Sequence, residues 1–189
     1  KAEGGRSSVR GAFHVHSVLS DGRGTPEEIA REAKAAGLQF VVLTDHTRMT
    51  LAPPRFVEGV LLIEAVELST PKGHVVALGL PRGLSESERQ EDVFAQIERA
   101  GGVSVIAHPV QEKMPFNDWA RAQPSAGLEL YSADSMLREA QSRWLTRLLP
   151  AVGAWFTNEL HALMYLVVTH PEATDRLLAA ARDRSFVAL

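Results

Sequence analysis

Short runs of β-branched and aromatic residues alternate with amphipathic stretches along this chain, and most of those runs stop at a histidine or a carboxylate. Gly11 to His16 reads as a strand in which an apolar residue alternates with each histidine. Thr25-Pro26-Glu27-Glu28 supplies a cap, a proline for the first turn and two acidic residues where a helix dipole favours them. A helix through Ile29 to Ala36, ended by Gly37, follows. Phe40 to Leu43 is a buried strand that delivers Thr44-Asp45-His46, Val60 to Val66 runs into Glu67, and Val75 to Leu78 follows His74. A helix from about Glu88 to Ala100 stops at Gly101-Gly102, and Val103 to Ile106 runs into His108. Leu128 to Tyr131 is a further strand candidate. Helices are predicted over Ser135 to Leu149, around Glu159 to Val168 and from Glu172 to Arg182, and Ser185 to Leu189 begins another strand. Strands alternating with helices predict a parallel α/β architecture, and reactive residues at successive strand ends favour a barrel over an open sheet.

The chain has 189 residues, 45% of them apolar and 23% charged, without a repeat or low-complexity linker. That is enough for one buried core, so a single domain over 1–189 is expected, with a helical insertion at about 134–183. The absence of cysteine excludes disulfides and thiolate metal sites. A net charge of −3 with no long basic run gives no reason to expect a stable nucleic-acid partner. No apolar run approaches the ~20 residues of a membrane span, so no membrane segment is expected. The opening Lys-Ala-Glu-Gly-Gly has neither an initiator methionine nor an apolar signal core. The expected compartment is the cytoplasm, with an exported protein that has lost its signal as the alternative, and the sequence leaves the oligomeric state open.

Four of the seven histidines lie in short stretches that carry a second histidine or a carboxylate, His14-Val15-His16, Asp45-His46 and Glu67 to His74, and a fifth follows a strand in His108-Pro109. With Ser20-Asp21-Gly22 close behind the first pair, this is a nitrogen and oxygen ligand set for hard or borderline divalent ions. On a strand, His-x-His puts both imidazoles on one face, and a carboxylate such as Glu67 can bind one ion through each oxygen. Asp45-His46 can supply one ligand and one supporting carboxylate. A single histidine is more often a surface or satisfied core residue than a ligand. Five of them at successive strand ends point to a metallohydrolase.

Phe13-His14-Val15-His16-Ser17 with Ser20-Asp21-Gly22, then Leu43-Thr44-Asp45-His46, then Val66-Glu67-Leu68 with Gly73-His74, then Ile106-Ala107-His108-Pro109 resemble the successive motifs of the PHP (polymerase and histidinol phosphatase) metal-dependent phosphoesterases. The resemblance runs from about Gly11 to Ser132. It implies a distorted seven-stranded (β/α) barrel with two or three divalent metal ions (Zn, Mn or Fe) at the C-terminal ends of its strands. It also implies His14, His16 and Glu67 on one ion, Glu67, His74 and His108 on a second, and Asp21 with His46 on a third. The family closes its site with a late Asp-x-His, which this chain lacks. Either Glu159 and His161 stand in for it, or it lies beyond Leu189, where Phe186 to Leu189 looks like the strand that would precede it; on the second view His161 and His170 are surface residues.

The function implied is hydrolysis of a small-molecule phosphate ester by a metal-bound hydroxide, with His14, His16, Glu67 and His108 central to catalysis. Two alternatives stand beside it: an amidohydrolase-like enzyme acting on a carbon centre, and a degenerate PHP module that binds metal or ligand without catalysis. Arg23, Arg48, Arg55, Lys72 and Lys113 lie in or near strand-end loops and are either phosphate clamps or solvated cations. Trp119, Trp144 and Trp155 read as packing residues, Gly101-Gly102 as a helix stop and Asp134 as a helix cap.

Overall fold

The computed structural model describes residues 8–109, 115–122, 126–129, 132, 145–146 and 148–156. The chain divides into two compact units, Lys1–Val105 and Ile106–Leu189, described here in turn.

The first unit opens with β1 (Gly11–Val15), α1 (Pro26–Ala35), β2 (Phe40–Leu43), β3 (Arg55–Val57) and β4 (Val60–Glu64). Their sheet has the order β1-β2-β4-β3, with β1, β2 and β4 parallel and β3 antiparallel at the edge. A capping box starts α1: the Glu28 N–H donates to the Thr25 hydroxyl, and the Thr25 N–H donates to the Glu28 carboxylate. The helix buries Ala30 and Ala33 against Val41, Leu43, Val60 and Leu62, small residues that let it lie close to the sheet. Gly37, with a φ of 73°, ends it in the left-handed region that glycine adopts without strain.

A second sheet carries β5 (Val66–Thr70), β6 (Gly73–Leu78) and β7 (Val103–Ile106) in the order β5-β6-β7. Strands β5 and β6 form an antiparallel hairpin, and β6 is buried from Gly73 to Ala77, so both of its faces are covered. Between β6 and β7 come α2 (Glu86–Gln90) and α3 (Val93–Arg99), which buries Val93, Phe94 and Ile97. The two sheets are linked by an isolated parallel bridge between His46 and Glu67.

The expected all-parallel arrangement is therefore corrected to a mixed α/β fold, with β3 antiparallel to β4 and β5 antiparallel to β6, and the described strands of this unit fall into two sheets. The apolar run from Val60 to Val66 breaks at Ala65 into β4 and β5, so Glu67 lies inside a strand instead of following one. Likewise His74 lies within β6. The sequence pattern missed β3, which is only three residues long and joins β4 through Glu58-Gly59. Both residues of that turn have positive φ, as the tight hairpin turns matched to sheet twist require. The helix expected from Glu88 to Ala100 is two helices, because Asp92 accepts the Ala95 N–H and caps a new start.

The second unit contains β8 (Gly127–Leu128) and α4 (Leu148–Trp155) among its described residues. The Glu129 N–H donates to the Ile106 carbonyl at 3.0 Å, and Phe116 meets Trp119 edge-on with ring centroids 5.2 Å apart. Helix α4 carries Pro150 near the start of its described span, and most of the helix expected from Ser135 to Leu149 lies outside the described residues. Trp155, expected to pack, is 56% exposed. The helices expected at Glu159 to Val168 and Glu172 to Arg182, the strand at Ser185 to Leu189, and Lys113, Asp134, Trp144, His161 and His170 lie outside the described residues. No helix among the described residues is long and apolar enough to cross a membrane.

Candidate metal centre

Glu67 is the hub of the site. It sits in β5 with its side chain 1% exposed, and its backbone is tied to the end of β2 by the Glu67 N–H on the Thr44 carbonyl and the Thr47 N–H on its own carbonyl, both 3.2 Å. Around its carboxylate stand four imidazoles. Oε2 is 3.2 Å from His14 Nε2, 3.2 Å from His16 Nε2 and 3.3 Å from His46 Nδ1, while Oε1 is 2.8 Å from His74 Nδ1.

The local chain explains how His14 and His16 reach the same oxygen. The pairing of β1 with β2 shifts register between Ala12 and Val15, and His14 has a φ of 63°. A non-glycine residue held there is strained, and the bulge re-aims its side chain. Strand β1 ends at Val15, so the simple alternation that sequence reasoning invoked is replaced by a bulge followed by a loop. That loop is compact: the Ser20 and Gly22 N–H groups both donate to the Ser17 carbonyl, and a Cβ at position 22 would run into the His16 carbonyl, so only glycine fits. It brings Asp21 Oδ1 to 3.0 Å from His16 Nδ1 and Asp21 Oδ2 to 3.9 Å from His46 Nε2.

Asp45, 1% exposed, does not face this cluster with an unfilled carboxylate. It accepts the Ser17 N–H, the Ser17 hydroxyl and the Ser20 hydroxyl, each at 2.7 Å. Two carboxylates that sequence reasoning did not single out are also buried. Glu64 accepts from Arg48, Arg55 and the Ala52 N–H at 3.1, 2.7 and 2.9 Å, so both arginines are engaged by the protein itself. Burial alone would raise the Glu64 carboxyl, but Ala52, Arg55 and Arg48 together hold it below its usual value. In the second unit Glu129 accepts the His108 N–H at 2.7 Å, and His108 has a φ of 26°. The available signal was a lone acidic residue in an apolar run, Leu61-Leu62-Ile63-Glu64 and Leu128-Glu129-Leu130.

The donor set fits a cation. One carboxylate oxygen has about two lone-pair directions, yet three imidazole nitrogens crowd Oε2. His46 Nδ1 is buried without a hydrogen-bond partner among the described residues. Burial pushes the His46 imidazole below its usual value, against the pull of the Glu67 carboxylate, and so favours the neutral form that binds metal. Ligands 2.0–2.1 Å from a tetrahedral zinc lie about 3.3 Å from one another, close to the separations found here. His16, His46 and Glu67 each offer an atom within 4.8 Å of the others. His46 thus stands with His16 and Glu67, and lies further from Asp21.

Comparison with known proteins places this chain in a family. The uncharacterized protein MJ1295 of Methanocaldococcus jannaschii is 27% identical over 57% of this chain and 52% of its own length. A candidate metal-dependent phosphoesterase from Bifidobacterium adolescentis shares the fold with a TM-score of 0.52 at 14% identity, over 97% of this chain and 87% of that one. A two-domain protein from Bacteroides vulgatus containing a predicted PHP-like metal-dependent phosphoesterase aligns with a TM-score of 0.45 at 22% identity, over 71% of this chain and 48% of that one. The chain thus spans about half the length of the first of these relatives. The PHP domain matches residues 12–183, and the chain belongs to the PHP domain family.

Proposed function

We propose that this protein is a metal-dependent hydrolase of small-molecule phosphate esters. The observation that carries the reading is the convergence of His14, His16 and His46 on one oxygen of a buried glutamate whose other oxygen meets His74. His14, His16, Glu67, His46, Asp21, His74 and His108 form the proposed ligand set for two or three ions, and on this reading residues 1–189 are one PHP domain built towards the family's seven-stranded barrel. His108 enters from its motif in the sequence, since it belongs to the second unit.

Zinc, manganese or iron held there would supply Lewis acidity, lowering the pKa of water and neutralising phosphoryl charge. The chain's own contribution is positional. Glu67 presents Oε2 to His14, His16 and His46 and Oε1 to His74, the β1 bulge fixes His14, and the Ser17 to Gly22 loop presents Asp21 beside His16 and His46. With that charge in place, no protein nucleophile is required for attack of water on phosphorus.

The test is elemental analysis of protein expressed in metal-replete medium, followed by assay against a panel of phosphomonoesters and phosphodiesters. The reading expects at least one equivalent of transition metal, and phosphate release that a chelator abolishes. Less than a tenth of an equivalent of metal, or turnover of carboxylic esters and amides in preference to phosphate esters, would defeat it.

A further inference from the structure

We infer that Asp45 is a positioning residue that acts through Ser20 on His16, fixing the ring proton on Nδ1 and leaving Nε2 as the nitrogen presented to an ion. The inference rests on the metal-centre reading above and concerns which atom of His16 serves it.

A serine hydroxyl has one proton to donate. Ser20 Oγ lies 2.7 Å from Asp45 Oδ1 and 3.3 Å from Asp21 Oδ1, so its proton goes to Asp45. The Asp45 carboxylate offers acceptors only, and its other contacts, the Ser17 N–H on Oδ1 and the Ser17 hydroxyl on Oδ2, hold it in place at 2.7 Å. Ser20 Oγ then faces His16 Nδ1, 3.3 Å away, with a lone pair. The other atom beside Nδ1 is Asp21 Oδ1 at 3.0 Å, also an acceptor. Both neighbours accept, so Nδ1 donates.

A neutral imidazole with its proton on Nδ1 has its lone pair on Nε2, the nitrogen that stands 3.2 Å from Glu67 Oε2. Ser20 is the more durable of the two acceptors. Asp21 has a 56% exposed side chain and belongs to the proposed ligand set, whereas Ser20 is anchored to a carboxylate that is 1% exposed. Metal-binding histidines generally have their second nitrogen fixed by such a partner, and losing that partner costs about 10–100-fold in metal affinity.

The experiment uses the full chain, ¹⁵N-labelled and loaded with zinc. Zinc affinity is read by competition with a chromophoric chelator, and the His16 Nδ1–H by its proton resonance and exchange rate. Asp45→Ala should lower zinc affinity about tenfold and make the Nδ1–H exchange too fast to observe. Asp45→Asn, whose amide oxygen can replace Oδ1, should stay within about threefold of the parent and keep the resonance. Should Asp45→Ala fail to fold, Ser20→Ala, at a half-buried loop position, tests the same relay and should show the same two losses. Folded Asp45→Ala or Ser20→Ala protein that binds zinc like the parent with the Nδ1–H intact overturns the inference alone. So does Asp45→Asn losing as much as Asp45→Ala. A parent that binds no zinc overturns the metal-centre reading and this inference with it.

Discussion

Glu64 and Glu67 lie three residues apart at the junction of β4 and β5, both buried, and they have opposite surroundings. Glu64 is met by two guanidinium groups and a backbone N–H, so permanent cations and a fixed donor satisfy its charge within the protein. Glu67 is met by four imidazoles, side chains that can bring nitrogen lone pairs as well as protons. A buried carboxylate whose partners are arginines is closed, and it ties the loop carrying Arg48 and Ala52 to the sheet. A buried carboxylate whose partners are histidines has, on the proposed reading, room in its surroundings for a metal cation. On that reading, the identity of the neighbouring side chains separates a structural acid, Glu64, from a metal-binding one, Glu67, though both are buried.

The strongest way to break this comparison is to remove each charge in turn. Glu67→Gln should empty the centre and lower any phosphate-ester turnover by more than about 100-fold, beyond the upper end of what loss of a supporting partner costs. It should leave the unfolding midpoint of metal-free protein within a few degrees of the parent. Metal analysis beside thermal unfolding decides it. A variant that kept both its metal and its rate would remove Glu67 from the centre.

The converse substitution, Glu64→Gln, should leave metal stoichiometry unchanged and destabilise the fold by about 2–4 kcal/mol, because it strands two arginines beside a neutral amide. Urea unfolding of the two proteins measures the difference. Equal stability would show that the Arg48 and Arg55 pairs contribute nothing net, as many ion pairs do.

Much of this contrast was legible in the sequence, and the part that was not has physical causes. Strand β2 and the start of α1 follow from local signals, an apolar run and a Thr-Pro-Glu-Glu cap, and the structure reproduces them at Phe40–Leu43 and Pro26–Ala35. The histidine motifs were visible because residue type and order suffice to recognise them. What local pattern could not show was pairing. The break at Ala65, the β3–β4 hairpin and the register shift in β1 depend on which strand lies alongside. Periodicity is silent about that. For the same reason the pairing of Glu64 with Arg55 across the β3–β4 turn was not legible, and Arg48 and Arg55 read as either phosphate clamps or solvated cations.

A smaller effect is expected from Gly22→Ala, which tests whether the loop beside Glu67 is as tightly fixed as the arginine-held loop beside Glu64. The added methyl group meets the His16 carbonyl, so the loop must shift, at a cost of about 1–3 kcal/mol in stability. Zinc affinity should fall with it, since His16 and Asp21 are carried on that loop. Zinc binding indistinguishable from the parent would mean that the loop adjusts without moving either side chain.

The smallest effect is one of pH, and it belongs to Glu64 alone. Its folded pKa is held below its unfolded value, so its stabilising contribution is fully present above the unfolded value and is lost as pH falls through the folded one. The advantage of the parent over Glu64→Gln should therefore be constant near neutrality and begin to shrink as pH drops below the ordinary carboxylate value of about 4.3. Metal-free protein is the right material, because every ionisable group other than Glu64 is common to the two proteins and cancels in the difference. Urea midpoints at a series of pH values from 7 down to the acid limit of folding provide the measurement. A gap that widened on acidification would mean that Glu64 is protonated more readily in the folded protein than in the unfolded chain. The arginines would then fail to offset the cost of its burial, and the contrast with Glu67 would lose its basis.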